Sequence, residues 1–258
     1  PDWLLDPSSY VAKCFVADDT VQIGNGLVDV RWRRAPNAAR ISVRREDKRF
    51  EFLRAVTPEA RLRVDGRDLL LGGLEGQRDR NYLDPAWLTE LRSPSNALVL
   101  RQIRRGPAVG AVSEAQRPAW EARYGAPATA WPPPGQQLRF RYTDEASQLD
   151  ADVVIEVYDG LPVIAKWIEL RNNGTKPVRI EGLRTEEMAV NRGEAPGRIY
   201  VEAEYAFNNT AAVRWRADED YGTQPGFGLQ DPVSASHLRY MPNRLLDDLL
   251  KHPDVAET

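Results

Sequence analysis

Apolar and polar residues alternate with a period of two along much of the chain. In the strings VRWR (residues 30–33) and RFRY (139–142), apolar and basic side chains take opposite faces, the pattern of a strand with one buried face. Similar alternation, or a short apolar run, predicts strands in TVQIGN, LVDVRWRR, ARISVRRE, FEFLRAV, EARLRV, RDLLL, ALVLRQIRR, LRFRYT, VVIEVY, LPVIAKWIEL, VRIEGLR, RIYVEAEY and AAVRWRA. Turn strings recur between them: GNG at 24–26, VDG at 64–66, YDG at 158–160 and NNG at 172–174. Asn-Gly and Asp-Gly tolerate positive φ at both central positions, so each predicts a hairpin. Many strands with little helix between them predict an all-β fold of antiparallel sheets packed as a sandwich. Parallel pairing would need crossovers of about a dozen residues or more, usually helical, and no helical crossover is visible.

Two segments interrupt this pattern. Within residues 74–94, the string DPAWLTEL predicts a short helix with Asp84 as N-cap and Pro85 at the first helical position. Residues 106–136 are rich in Gly, Pro and Ala and end in WPPPG, which reads as an elaborated loop. Near the C-terminus, RLLDDLLKH carries leucines at 245, 246, 249 and 250, an amphipathic helix stub. The expected organisation is a β-domain over 1–240 and a helix stub with a linker over 241–258, leading towards a further domain.

Composition narrows the function classes. The 35 basic and 38 acidic residues are well mixed, so the one-sided basic field of a nucleic-acid binder is missing. The small cluster Arg31, Arg33 and Arg34 reads as a solvated face. No apolar run approaches the roughly 18 residues of a membrane-spanning helix, and neither nucleic acid nor membrane is an expected partner. The single cysteine, Cys14, excludes an internal disulfide framework and cysteine-rich zinc sites. Its apolar surroundings, YVAKCFVAD, suggest a buried, inert thiol. With only His237 and His252 as imidazoles, no His-rich metal site is expected, and no cofactor. The chain starts at Pro1 without a signal-like segment, as expected of a processed or excised piece; its compartment is left open.

Candidate chemistry is sparse. Glu186 and Glu187 are adjacent and, on a strand, would point to opposite faces. Asp218, Glu219 and Asp220 read as a solvated loop. The sequon Asn173-Gly174-Thr175 is explained by its turn composition, and a second match at Asn208-Asn209-Thr210 adds little. Trp87, Trp120 and Trp131 fall in irregular segments, where a ring could stack on a sugar, whereas Trp32, Trp167 and Trp215 fall in strands and read as core. Lys166 shares an otherwise apolar face with Ile164, Ile168 and Leu170. It is therefore expected at a sheet edge or beside a carboxylate.

Taken in order, IGNGLVDVRWRRAPNAA, LRAVTPEARLRVDGRDLLLGGLEGQ, NYLDPAWL, WPPPGQQLRFRY and VIEVYDGLPVIAKWIELRNNG resemble the N-terminal domain of glycoside hydrolase family 36, the α-galactosidase family. The resemblance spans roughly residues 20–190. It implies a large antiparallel two-sheet β-supersandwich of the galactose-mutarotase-like type with one or two short helices. In that family the domain precedes a (β/α)8 barrel that carries the nucleophilic and the acid/base aspartates. A barrel needs about 250 residues, and fewer than seventy follow the resemblance here. No residue of the chain therefore inherits a catalytic role. The Lys166-Trp167 pair resembles the start of the family's catalytic Lys-Trp-Asp string, but Ile168 stands where the aspartate would be.

The resemblance thus implies a non-catalytic accessory domain that supports a barrel of the same parent chain and shapes its sugar cleft. The segment GGLEGQRDRNYLDPAWL supplies candidate sugar contacts in Arg80, Asn81, Tyr82 and Trp87, with Trp131 added from the later loop. Carbohydrate and a second copy of the chain are the other candidate partners. One alternative is an independent carbohydrate-binding module. An aldose 1-epimerase is less favoured, because that chemistry needs a Glu base with two His residues across the middle strands, and His237 and His252 lie beyond them.

Overall fold

A computed structural model describes residues 3–46, 49–76, 88–112, 116–125 and 131–190. The described residues form an all-β sandwich. Its first sheet runs β1 (Lys13–Val16), β2 (Thr20–Gly24), β3 (Val28–Arg33), β4 (Ala39–Arg45) and β5 (Phe50–Glu51) in spatial order. The remaining strands are β6 (Leu53–Ala55), β7 (Ala60–Val64), β8 (Arg67–Leu71), β9 (Ala97–Pro107), β10 (Gly135–Asp144), β11 (Leu149–Tyr158), β12 (Ile164–Asn172), β13 (Ile180–Arg184) and β14 (Ala189–Val190). Seven of these build the second sheet in the order β12-β11-β10-β9-β8-β7-β13, and β14 pairs with β6 as a separate ribbon.

The period-two pattern explains how the sheets stack. Val21, Ile23, Val30, Trp32 and Val43 of the first sheet meet Leu62, Leu138, Phe140, Tyr142, Val153 and Ile155 of the second in one buried cluster. The indole of Trp32 is fully buried and lies 5.1 Å from the ring of Phe140, tilted by 45°. An aromatic side chain buries about 150–250 Å², so this pair anchors the contact between sheets.

Most predicted hairpins form. At Asp65-Gly66 both central residues have positive φ, 46° and 75°, the requirement of a type I′ turn, and β7 pairs antiparallel with β8. GNG joins β2 to β3, and YDG joins β11 to β12. NNG does not join paired strands. Asn172 Oδ1 accepts from the Gly174 amide, an Asx turn. The chain then crosses to pair β13 with β7, at the opposite edge of the second sheet. FEFLRAV is split between β5 and β6, and the short β1 escaped the period-two reading.

Two further expectations are corrected. β8 and β9 pair in parallel, Leu70 beside Ala97 and Leu71 beside Leu98. The crossover between them occupies residues 72–96, and its described ends are tied by an antiparallel bridge from Glu75 to Arg92. A small cluster of Ala39, Leu74 and Leu91 packs beneath it. Within the predicted loop 106–136 lies α1 (Arg117–Tyr124), with Pro118 in its first turn. A proline there forfeits no intrahelical bond. Of the expected helix at DPAWLTEL, residues 88–90 form a turn rather than a helix. Its residues 84–87 fall in 77–87, and the strands RIYVEAEY and AAVRWRA, the stub RLLDDLLKH, His237 and His252 fall in 191–258. These lie outside the described residues.

Gly135 marks a place where two strands approach too closely for a side chain. A Cβ there would sit 2.9 Å from the Tyr158 Cα and against the Val157 carbonyl oxygen. Both are backbone atoms of β11, directly paired with β10. Gly135→Ala is expected to cost about 1–3 kcal/mol, read as a lower urea midpoint with an unchanged slope.

Candidate functional site

Of the predicted sugar contacts, Arg80, Asn81, Tyr82 and Trp87 lie outside the described residues. Trp131 is described. It follows α1, precedes β10 and joins Pro132 through a cis peptide bond. The residue is 44% exposed. Beneath it, the ring of Tyr158 lies 5.5 Å away, tilted by 50°, and the guanidinium of Arg117 donates to the Trp131 carbonyl at 2.9 Å.

The support for this indole is a buried carboxylate. Glu156 points from β11 to the outer side of the second sheet, yet it is wholly buried. Its oxygens accept from the amide of Val109 at 2.6 Å, the amide of Gly110 at 3.1 Å, Gln137 Nε2 at 2.8 Å and the Tyr158 hydroxyl at 2.9 Å. Four donors on one carboxylate fasten the loop after β9 to β11, and they hold Tyr158 under Trp131. Burial, together with the Glu156 carboxylate, keeps the Tyr158 hydroxyl protonated well above its ordinary range.

A second polar centre lies in the interior. Glu59, just before β7, is fully buried. Trp32 Nε1 donates to its Oε1 at 2.7 Å, and Lys166 Nζ lies 2.8 Å from its Oε2. Lys166 also donates to the Glu59 carbonyl at 2.6 Å and to Glu186 Oε2 at 2.9 Å. The guanidinium of Arg40 grips Glu186 through both terminal nitrogens, and its Nε lies 3.6 Å from Glu59 Oε1. The expectation that Lys166 would be paired with a carboxylate is met twice. Glu187 turns to a different arginine, Arg61, which donates to both of its oxygens. Glu186 and Glu187 thus serve separate partners, on an irregular link between β13 and β14 rather than on a strand.

Lys166 belongs to β12, one edge of the seven-stranded sheet, and Glu59 sits at the start of β7, next to the other edge. Their contact shows that this sheet curls until its far sides approach each other. Trp167 faces the other way. Its indole donates to Glu169 Oε1 at 2.9 Å on the outer face, and Glu169 in turn pairs with Arg139. Trp167 is therefore half-buried surface structure, not core.

The described buried carboxylates are engaged as acceptors. Burial of Glu59 opposes its ionisation, but Arg40 and Lys166 outweigh it and hold the carboxyl well below the usual range. Asp152 is likewise pulled down against its burial by Arg141, with two contacts at 2.8 Å, and by Arg139 at 3.0 Å. A general acid at neutral pH needs the opposite shift. Cys14, expected to be buried, is half-buried; it packs on the core from β1, and burial pushes its thiol up to about 12. Among the described residues no three His, Cys, Asp or Glu side chains are grouped to hold a metal ion.

Sequence reading missed Arg40 and Glu59 for an identifiable reason. Between β3 and β4 the register slips, with Arg31 opposite Ser42 and Trp32 opposite Arg40. Ile41 is the extra residue of a bulge, and the slip turns Arg40 inward beside Trp32. Glu59 precedes the pleat of β7, where alternation no longer assigns a face.

Residues 96–195 match the family model described as the glycosyl hydrolase family 36 N-terminal domain. The match includes WPPPGQQLRFRY and VIEVYDGLPVIAKWIELRNNG, and it begins after the earlier strings of the resemblance. Neither a curated protein nor a solved structure gave a match.

Proposed function

We propose that this chain, whose residues 96–195 match the model of the glycosyl hydrolase family 36 N-terminal domain, is the non-catalytic accessory part of an α-galactosidase-like hydrolase. Its role is to support a catalytic barrel supplied elsewhere in the parent protein and to form part of the wall of its sugar cleft. The family match carries the reading. The engagement of Glu59, Asp152 and Glu156 by structural donors supports it. Retaining and inverting hydrolysis both need a pair of carboxylates, about 5–5.5 Å or 6.5–9.5 Å apart, one of them able to give up a proton. Carboxylates pinned by arginine, lysine and backbone amides are poorly suited to that task.

The half-exposed Trp131 favours a second reading, an independent carbohydrate-binding module. One experiment separates the two. The 258-residue chain is assayed against an aryl α-galactoside and titrated calorimetrically with galactose, melibiose and raffinose. The accessory role predicts no turnover and no saccharide heat. Saturable binding at millimolar concentration or tighter, lost in Trp131→Ala with an unchanged melting temperature, would establish the module instead. Turnover by the chain alone would overturn both.

A further inference from the structure

The interior charge cluster has one member unlike the others. Glu59, Arg40 and Lys166 have side chains 0%, 6% and 10% exposed, whereas the Glu186 side chain is 40% exposed. Glu186 does not belong to a strand. It rides on the irregular residues between β13 and β14, while the groups that bind it sit on β4 and β12. Arg40 presents two terminal nitrogens to its two oxygens, and Lys166 Nζ adds a third contact at 2.9 Å. A planar guanidinium fork with an ammonium beside it is the geometry that recognises a carboxylate. Both cations are held without help from Glu186: Lys166 by the Glu59 carboxylate and carbonyl, Arg40 by the Glu187 carbonyl and the charge of Glu59.

We propose that Arg40 and Lys166 form a carboxylate-binding site whose resident ligand is the partly exposed Glu186 side chain, and that a free monocarboxylate occupies the site when that side chain is removed. The preformed cations remain after the tethered carboxylate is gone, with one uncompensated positive charge facing the space that the 40%-exposed Glu186 side chain vacates. An external carboxylate then restores both the charge balance and the bidentate contact. With Glu186 present, an external carboxylate exchanges one such contact for another and gains nothing.

The probe is acetate, and the readout is thermal unfolding of the full 258-residue chain at neutral pH and fixed ionic strength, with chloride replaced stepwise by acetate. In Glu186→Ala the melting temperature should fall in chloride and recover saturably with acetate. A dissociation constant of about 10 mM would give a roughly tenfold gain in the folding equilibrium at about 100 mM. The unsubstituted chain should show no such rise. The double variant Glu186→Ala/Lys166→Met should lose the response, which separates binding at this site from general salt effects. If Glu186→Ala does not fold in chloride, folding in acetate supports the site and failure in both overturns it. Glu186→Gln, which keeps the shape without the charge and still fills the site, should show a smaller acetate response than Glu186→Ala. A melting temperature of Glu186→Ala equal to that of the parent, or an acetate response no larger in Glu186→Ala than in the parent, would sink the proposal.

Discussion

Replacing Glu59 by leucine should lower the stability of the chain by about 3–5 kcal/mol, because it strands Arg40 and Lys166 in the interior with only the more exposed Glu186 to balance them. For a chain of this size that corresponds to a fall of roughly 6–20 °C in melting temperature. The loss comes from uncompensated charge, so the double variant Glu59→Leu/Lys166→Met should be more stable than Glu59→Leu alone. The same carboxylate imposes a pH dependence. Its folded value is held below its unfolded value of about 4.3, since Arg40 and Lys166 overcome the opposing effect of burial. The resulting stability is complete above the unfolded value and is lost as pH falls towards the folded one. Glu59→Gln should therefore flatten the decline in stability below about pH 4.5. Denaturant titrations at several pH values would show it, and parallel declines in parent and variant would contradict the assignment.

Asn25 carries the second large effect. It is buried in the GNG turn of the first sheet, and its amide nitrogen donates to the carbonyls of Tyr158 and Leu161, each at 2.7 Å. Its Oδ1 accepts from the amides of Leu27 at 2.9 Å and Val28 at 3.1 Å. One side chain thereby joins a turn of one sheet to the YDG turn of the other. Asn25→Ala removes four hydrogen bonds, leaving the Tyr158 carbonyl only the 3.4 Å contact from the Leu161 amide, and a cost of about 2–4 kcal/mol is expected, since each buried unsatisfied group costs about 1–3 kcal/mol and such costs do not add fully. Asn25→Asp distinguishes the two halves of this contact. It retains the acceptors for Leu27 and Val28 but sets a carboxylate against two carbonyl oxygens. It should be at least as destabilising as the alanine variant at pH 7 and recover towards acid pH. Denaturant unfolding of both variants tests this, and an aspartate variant as stable as the parent would refute the cross-sheet role.

The strands were legible because burial on one face leaves a period of two in the sequence, clearest in VRWR and RFRY. The turns were legible where local backbone chemistry decides them, as at Asp65-Gly66. Long-range pairing left no such trace. NNG has the composition of a hairpin, yet β13 finds its partner in β7. The parallel pair of β8 and β9 depends on a crossover whose ends meet through Glu75 and Arg92. At the candidate sites, the sequence pointed to Trp131 through its position in an irregular segment and to Lys166 through its conflict with an apolar face. It could not disclose Arg40, which is turned inward by a bulge, or Glu156, whose burial depends on a loop tens of residues earlier in the chain.

The long-range pairing of β13 with β7 and of β14 with β6 also determines when the fold can close. The accompanying contacts join residues more than a hundred positions apart, such as Arg179 with Asp65 and Glu187 with Arg61. Both partner strands lie before residue 96, outside the family-matched segment. Among the described strands, the matched segment is not a self-contained unit of assembly. Closing such distant pairs requires the entropy of a long loop to be surrendered before any contact compensates for it, which places this chain among slow, non-local folders. On a ribosome, the early strands must wait with open edges until β13 and β14 emerge to cover them.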